Sequence, residues 1–389
     1  MLHKNACRFY SPGWLGSALV GCLPTRQPSS IVDLGTGMGA LAQAASRRWA
    51  TAPLVTVDID AAPDLPDSRN RRHVLADALD ARLADRIGVA PSSVDLVLSN
   101  PPYRRSQWHP RFRTILERAG FGEALRGLKG VPTDLVFLAQ AMHLVRPGGT
   151  LGFIVPDTMI AGTSMAPVRE ALLSKHAVQR VIQAPRGAFK GTDAQTFILV
   201  IGKQREPTRV RLDRIDLSGV WSEPIEIAPE AGVERLDFSF HCGTKVRGRP
   251  ERSLSALGGE VSRGRASSVE VAVSRGAIFH TCDFPDRPGG HVVLNGSASA
   301  SDDVPQWWAK TGDILVARVD RRLEDKVAFV IEGAGPISDC VLRLRVPAAL
   351  RVPTLDCLVS PEGRRQLTRH AHGTGARHIS ASSLLQLEI

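Results

Sequence analysis

Ser29-Ser30-Ile31-Val32-Asp33-Leu34-Gly35-Thr36-Gly37-Met38-Gly39 reads as a short apolar strand that breaks at Gly35 and opens an apolar-periodic helix over Ala40–Trp49. Glycines let a backbone turn tightly and approach a ligand closely, and the N–H groups at a helix start face whatever lies there. Working outward to residue 203, strands and helices alternate. PLVTVDID (53–60), HVLAD (73–77), SVDLVLSNPPY (93–103), TLGFIVP (150–156), AVQRVIQ (177–183) and TFILVIGK (196–203) read as strands. ALDARLADRIG (78–88), TDLVFLAQAMHLVRPGG (133–149, amphipathic, with a Pro-Gly-Gly exit) and a stretch around 165–175 read as helices. Such alternation implies a doubly wound α/β domain, with a mostly parallel sheet covered on both faces.

Three acids fall at the ends of three successive strands. Asp33 precedes the glycine turn, Asp58 follows Gly39 by nineteen residues, and Asp77 closes the third strand. A carboxylate at Asp58 can accept both hydroxyls of a ribose, and Asp77 is placed for an adenine amino group. The spacing around Gly35, Gly37 and Gly39 is not the G-x-G-x-x-G of dinucleotide folds, and no Gly-Lys-Ser/Thr phosphate loop exists. An adenosine without a phosphate chain is therefore expected, and S-adenosylmethionine fits.

Asn100-Pro101-Pro102-Tyr103 follows the fourth strand, at the edge where α/β sheets place their ligands. An amine on an aromatic ring, or an amide nitrogen, is a poor nucleophile because its lone pair is delocalised. An Asn side-chain carbonyl and a neighbouring backbone carbonyl can accept its two N–H bonds and draw the nitrogen toward a reactive pyramidal form. Prolines stiffen that loop, and Tyr103 supplies a stacking face. The methyl of a sulfonium is a good electrophile, so positioning carries much of the rate and no strong base is needed. The segment after it, RRSQWHPRFRTILER, holds Arg104, Arg105, Arg111, Arg113 and Arg118 with Trp108 and Phe112 interleaved. It reads as a loop suited to phosphate contacts.

DLGTGMG, VDID, ADAL and NPPY, in this order, resemble the motifs of class I S-adenosylmethionine-dependent amino-methyltransferases, and NPPY resembles that of the adenine-N6 DNA methyltransferases, gamma class. The resemblance spans roughly residues 5–203 and implies a seven-stranded Rossmann-like sheet. It implies that Asn100, Pro101, Pro102 and Tyr103 are catalytic, and that Tyr10, Ser11 and Pro12, in a segment similar to one that contacts the methionine end, bind the cofactor with Asp33, Gly35, Gly37, Gly39, Asp58 and Asp77. Ala188-Phe189-Lys190-Gly191 before TFILVIGK looks like the segment whose aromatic packs on a flipped base, so Phe189 and Tyr103 are expected to sandwich it. Release-factor glutamine methyltransferases resemble the chain in the same NPPY, but lack a recognition domain after the catalytic one. RNA base methylation, and a specificity module that binds cofactor without turnover, stay open as alternatives.

After Lys203 the character changes. Residues 206–240 carry eight acids and four Arg and read as a connector with a short strand pair. Residues 241–389 are rich in Gly, Ser and short β-type runs, giving a smaller strand-rich α+β domain. Gly312-Asp313-Ile314-Leu315-Val316-Ala317-Arg318, Ile337-Ser338-Asp339 and the terminal GTGARHISASSLLQLEI resemble the target-recognition domains of type I restriction specificity subunits. That resemblance implies contacts to DNA from Arg318, Arg321 and Arg322. The expected organisation is thus a catalytic domain over 1–205, a connector over 206–240 and a recognition domain over 241–389. The expected partners are double-stranded DNA and a separate cognate restriction endonuclease, since no nuclease motif is evident.

Composition agrees with a folded chain: of 389 residues 43% are hydrophobic and 23% charged, too apolar for disorder. The net charge of +10 lies wholly in residues 1–205, with 25 basic and 15 acidic residues, while 206–389 hold 24 of each. Attraction to a polyanion is expected around the target pocket. No membrane-length apolar run occurs, and the six cysteines form no Cys-x-x-Cys, so neither a disulfide framework nor a zinc site is expected. His370 and His372 read as a solvated pair rather than ligands. A reducing, cytoplasmic setting is the expectation.

Overall fold

The computed structural model describes residues 11–61, 70–125, 130–189, 191–206, 209–242, 250–295 and 305–389. The chain divides into two units, Met1–Cys242 and Gly243–Ile389.

In chain order the first unit contains α1 (Gly13–Cys22), β1 (Ile31–Leu34), α2 (Ala40–Arg48), β2 (Leu54–Asp58), β3 (Arg71–Leu75), α3 (Leu83–Ile87) and β4 (Val94–Ser99). There follow α4 (Pro110–Arg118), α5 (Thr133–Leu144), β5 (Val145–Pro156), α6 (Asp157–Ala161), α7 (Ala166–Lys175), β6 (Ala177–Gln183) and β7 (Thr196–Gly202). The unit ends with β8 (Val210–Arg214), β9 (Ile225–Ile227), α8 (Pro229–Glu234) and α9 (Phe238–His241). The strands form one nine-stranded sheet in the order β9-β8-β6-β7-β5-β4-β1-β2-β3. β7 runs antiparallel to β5 and β6, β9 runs antiparallel to β8, and the other neighbours are parallel.

The central strands are apolar on both faces because both are covered. Leu15, Leu19, Leu41 and Ala45 of α1 and α2 pack on one side with Ile31, Leu96 and Leu98. Phe112, Leu135, Leu138 and Leu172 of α4, α5 and α7 pack on the other with Val32, Leu34 and Val97. Gly152 of β5 admits α1 closely, since a Cβ there would lie 2.9 Å from the Leu19 side chain. The helix expected to be amphipathic, α5, instead buries eleven of its twelve residues. Its Gln140 is accommodated because the amide donates to the Ala78 and Asp80 carbonyls, at 3.0 and 2.7 Å.

The stretch read as a connector belongs to the first unit. β8 joins the sheet alongside β6, with Leu212 opposite Val181, and β9 pairs back on β8. Val210 and Leu212, both buried, alternate with the exposed Arg211 and the buried, ion-paired Asp213, and the sheet has two strands more than the seven expected.

The second unit contains β10 (Glu260–Arg263), α10 (Ser268–Val273), β11 (Gly290–Asn295), β12 (Trp308–Lys310), β13 (Ile314–Ala317), β14 (Val319–Asp320), β15 (Val327–Pro336), β16 (Val341–Arg345), α11 (Arg351–Val359), α12 (Pro361–His370), β17 (Arg377–His378) and α13 (Ala381–Leu385). Its main sheet runs β10-β16-β13-β15-β11 with β12 added on β15. Leu315, Val316, Val330, Leu342 and Leu344 form a core with Leu358, Leu367 and Leu384 of the C-terminal helices. Asp313, buried before β13, accepts from Nε and Nη2 of Arg345, each at 2.8 Å.

Arg169 shows how the first unit treats a buried charge. It is 1% exposed and donates to the carbonyls of Val233 (3.0 Å), Met159 (3.1 Å), Gly162 (2.9 Å) and Glu234 (2.6 Å), tying α7 to α6 and α8. Arg169→Leu strands these acceptors and should cost about 3 kcal/mol. Arg169→Lys should recover only part of this, because an ammonium lacks the planar fork. Urea midpoints of the three proteins check this; equal midpoints would remove the guanidinium from the stability of the unit.

Candidate active site

At the carboxyl end of β1 the chain turns through three left-handed glycines, Gly35 (φ 72°), Gly37 (φ 52°) and Gly39 (φ 81°), before α2. Any side chain here would be strained, and at Gly35 a Cβ would also meet the Phe137 ring of α5 at 3.0 Å. Gly35 and Thr36 donate to the Val57 carbonyl at 2.8 and 3.1 Å, and Gly37 N donates to Asp58 Oδ2 at 2.8 Å. The loop is thereby set against the end of β2. Asp58 Oδ1 accepts from Asp60 N at 3.2 Å, and beside it Ile59 exposes 45% of an apolar side chain. Asp77, half-buried beyond β3, accepts from Leu79 N at 2.9 Å.

Asp33 is the electrostatic anomaly. It is fully buried and neither carboxylate oxygen has a hydrogen-bond partner, since the Thr36 hydroxyl goes to the Asp33 backbone carbonyl at 3.1 Å. Burial pushes its carboxyl up to about 7 against the pull of the nearby Thr36 hydroxyl and Ala42 N–H, with the Asp58 charge adding to the rise. An orphaned buried carboxylate beside a glycine turn fits a ligand that carries a cation.

β4 lies next to β1, with Ser99 opposite Leu34. The buried Ser99 hydroxyl donates to the Leu34 carbonyl at 2.7 Å and so ties the start of the NPPY loop to the start of the glycine loop. Asn100 is half-buried: its Nδ2 donates to Ser11 Oγ at 2.7 Å, and its Oδ1 accepts from the Tyr103 hydroxyl at 2.9 Å. Pro101 is buried and Pro102 exposed. Burial, with the Asp134 charge added, raises the Tyr103 hydroxyl well above the usual tyrosine range. Asp134, in the first turn of α5, is 3% exposed, and burial pushes its carboxyl up to about 7 against the pull of the backbone N–H groups at the helix start and of Arg105. α5 reaches this place because Arg105–Ser106 and Val131–Pro132 form a short antiparallel ribbon and Thr133 N donates to the Arg104 carbonyl at 2.9 Å. Nothing in the sequence pattern marked Ser99, Ile59 or Asp134; the buried hydroxyl and carboxyl are polar residues in otherwise apolar runs, which is the signal available.

Several expected residues are placed differently. The Arg-rich segment is not a plain loop: from Pro110 it is the helix α4, capped by His109, with Phe112, Ile115 and Leu116 buried. Phe112 therefore belongs to the core, while Arg104, Arg105, Arg111 and Arg113 are exposed. Arg118 is spent on the Ala81 carbonyl at 3.0 Å. Phe189 is 3% exposed and joins the cluster on the α1 side of the sheet, so it offers no open face for stacking. Arg318 is half-buried and its Nε donates to the Asp339 carbonyl at 2.6 Å, a structural use, whereas Arg321 and Arg322 are exposed. His372 is not solvated alone; it pairs with His378 through both backbone groups and stacks on its ring at 6.2 Å. Tyr10 and Lys190 lie outside the described residues. Among the described residues there is no metal-binding cluster, and no helix is long and apolar enough to cross a membrane.

Comparison with known proteins gives these features a context. Residues 67–220 match the family model described as N-6 DNA Methylase. The chain is 27% identical over 113 residues to the methylase subunit of the type I restriction enzyme MpnII of Mycoplasma pneumoniae, covering 29% of this chain and 21% of that subunit. It is 31% identical over 177 residues to a release factor glutamine methyltransferase of Chlorobaculum tepidum, covering 41% of this chain and 55% of that enzyme. The alignment with the Mycoplasma subunit thus spans about a fifth of its length. Among solved structures, the type IIG restriction endonuclease BpuSI matches all of this chain and 59% of its own, at 14% identity and a TM-score of 0.53, a likeness of fold. Over residues 67–220, two fifths of its length, the chain is thus similar to the N-6 DNA methylase family.

Proposed function

We propose that this protein is a sequence-specific DNA methyltransferase that transfers a methyl group from S-adenosylmethionine to adenine N6 in duplex DNA, the base being extruded from the stack. The observation that carries this reading is the Asn100 amide, held beside the glycine loop by the Ser99–Leu34 bond within a segment matching the N-6 DNA methylase family. Asp33, Gly35, Gly37, Gly39, Asp58 and Asp77 are the proposed cofactor residues. The unpartnered Asp33 suits the α-ammonium of a methionine, the second lone pairs of Asp58 suit a ribose, and the exposed Ile59 suits one face of an adenine. When bound, the sulfonium supplies an electrophilic methyl group.

The protein's own part is orientation. Asn100 Oδ1 and a carbonyl of the stiff Pro101-Pro102 turn accept the two N–H bonds of the target amine and draw its lone pair out of the ring. The nitrogen so held would take the methyl group that the bound cofactor supplies and pass the proton it sheds to solvent. Tyr103, half-buried and anchored through its hydroxyl, supplies the stacking ring. Exposed Arg104, Arg105, Arg111 and Arg113 suit phosphates around the extruded nucleotide, in the half of the chain that holds the net positive charge. The strand-rich second unit is the proposed target reader, with exposed Arg321 and Arg322 as contacts, and cleavage is left to a separate endonuclease.

Purified protein should transfer label from tritiated S-adenosylmethionine to duplex DNA, and long-read sequencing of that DNA should return N6-methyladenine in one motif. Asn100→Ala should lower kcat by at least about a hundredfold, with cofactor affinity within about twofold of wild type. Label in a glutamine-containing release-factor peptide, and none in DNA, would replace this reading.

Asp33 adds a pH dependence. Its folded value, about 7, lies above the ordinary carboxylate value, so its contribution to stability is fully present below about 4 and is lost as pH rises through about 7. Asp33→Asn should flatten that decline between pH 5 and 8 in thermal melts, leaving the share contributed by Asp134. The same variant should bind S-adenosylmethionine about tenfold or more weakly at pH 8 by calorimetry. Unchanged affinity would take Asp33 out of the cofactor site.

A further inference from the structure

The Asn100 side chain has two ends of nearly equal shape, and only one can serve an amine. Turned by 180° about its last torsion, the amide would present Nδ2–H to the target N–H, donor against donor. Something must hold it the right way round. Two hydroxyls flank it, Ser11 Oγ at 2.7 Å and Tyr103 OH at 2.9 Å. A phenol is the stronger donor and the weaker acceptor of the two, so the Tyr103 bond runs to Oδ1 and the Ser11 oxygen is left to accept from Nδ2. Oδ1 keeps a second lone pair for the substrate.

Ser11 is itself firmly placed. It directly precedes Pro12, whose carbonyl receives Leu15 N at 3.0 Å and Gly16 N at 3.3 Å in the first turn of α1. α1 in turn lies tightly on β5 at Gly152. The hydroxyl thus reaches Asn100 from across 89 residues of sequence on a helix fixed to the same sheet.

We infer that Ser11 is a positioning residue for the Asn100 amide, aiming Oδ1 at the target amine, and that this, rather than contact with the methionine end of the cofactor, is its role. The inference rests on the methyltransferase reading above and names a residue whose loss should strike the transfer step rather than cofactor binding.

The test uses the full chain and DNA that the wild type methylates, with kcat and the S-adenosylmethionine KM from tritium transfer, cofactor affinity from calorimetry, and thermal melts to check folding. Ser11→Ala should lower kcat about tenfold and leave cofactor KM and affinity within about twofold. Ser11→Thr, which keeps the hydroxyl, should retain most of kcat. Ser11→Cys, close in volume but a weak acceptor, should fall with the alanine variant. In an Asn100→Ala background Ser11→Ala should have no further effect on transfer. A raised cofactor KM with kcat intact, or full activity in both Ser11→Ala and Ser11→Cys, overturns the role. No transfer by the wild-type chain overturns the functional reading and the inference with it.

Discussion

The hydrogen bond from the Ser99 hydroxyl to the Leu34 carbonyl, 2.7 Å long and buried, joins the two loops on which the candidate site depends. Parallel pairing of β1 with β4 already brings Leu34 opposite Ser99, but register alone leaves the chain free to splay once each strand ends. The extra bond closes that freedom at the last paired residue. From it the glycine turn leaves toward β2, where Val57 and Asp58 hold it, and the NPPY loop leaves toward α5, where Thr133 N takes the Arg104 carbonyl. A crevice between two outgoing loops at the carboxyl edge of a sheet is where α/β folds hold ligands.

Buried charge is handled in two ways. Away from the crevice it is satisfied: Arg169 donates to four carbonyls, and Asp313 is gripped by Arg345. Beside the crevice it is left under-satisfied. Asp33 has no partner on either oxygen, and Asp134 has backbone donors in its helix turn but a carboxyl pushed up to about 7 by burial. Such groups cost stability in the free protein, and a cost retained at the carboxyl edge of a sheet marks a candidate functional site.

Much of the fold was legible in the sequence. The glycine turn needs left-handed backbone, and Gly35, Gly37 and Gly39 all adopt it. Continuous apolar runs such as TFILVIG are what a strand covered on both faces requires, and β7 is buried throughout. Other readings failed for equally physical reasons. The strand pair expected in 206–240 is present, but nothing local in that stretch told that it would extend the main sheet. Phe189 was read as an aromatic face for a base and Phe112 as part of a phosphate-contacting loop, but an aromatic in a basic or glycine-flanked stretch carries no mark of which way it points, and both are buried.

Sequence by itself determined the alternating α/β build, the carboxylates at strand ends and the NPPY loop, because each follows from local periodicity, backbone freedom or residue chemistry. The tertiary structure alone decided which hydroxyl meets the Asn100 amide, that Ser99 ties two loops together, and that Asp33 is left without a partner. It also decided which arginines are spent on carbonyls, as Arg118 and Arg318 are, and which remain at the surface. Those outcomes depend on contacts between residues far apart in the chain, where burial and geometry act and local pattern is silent.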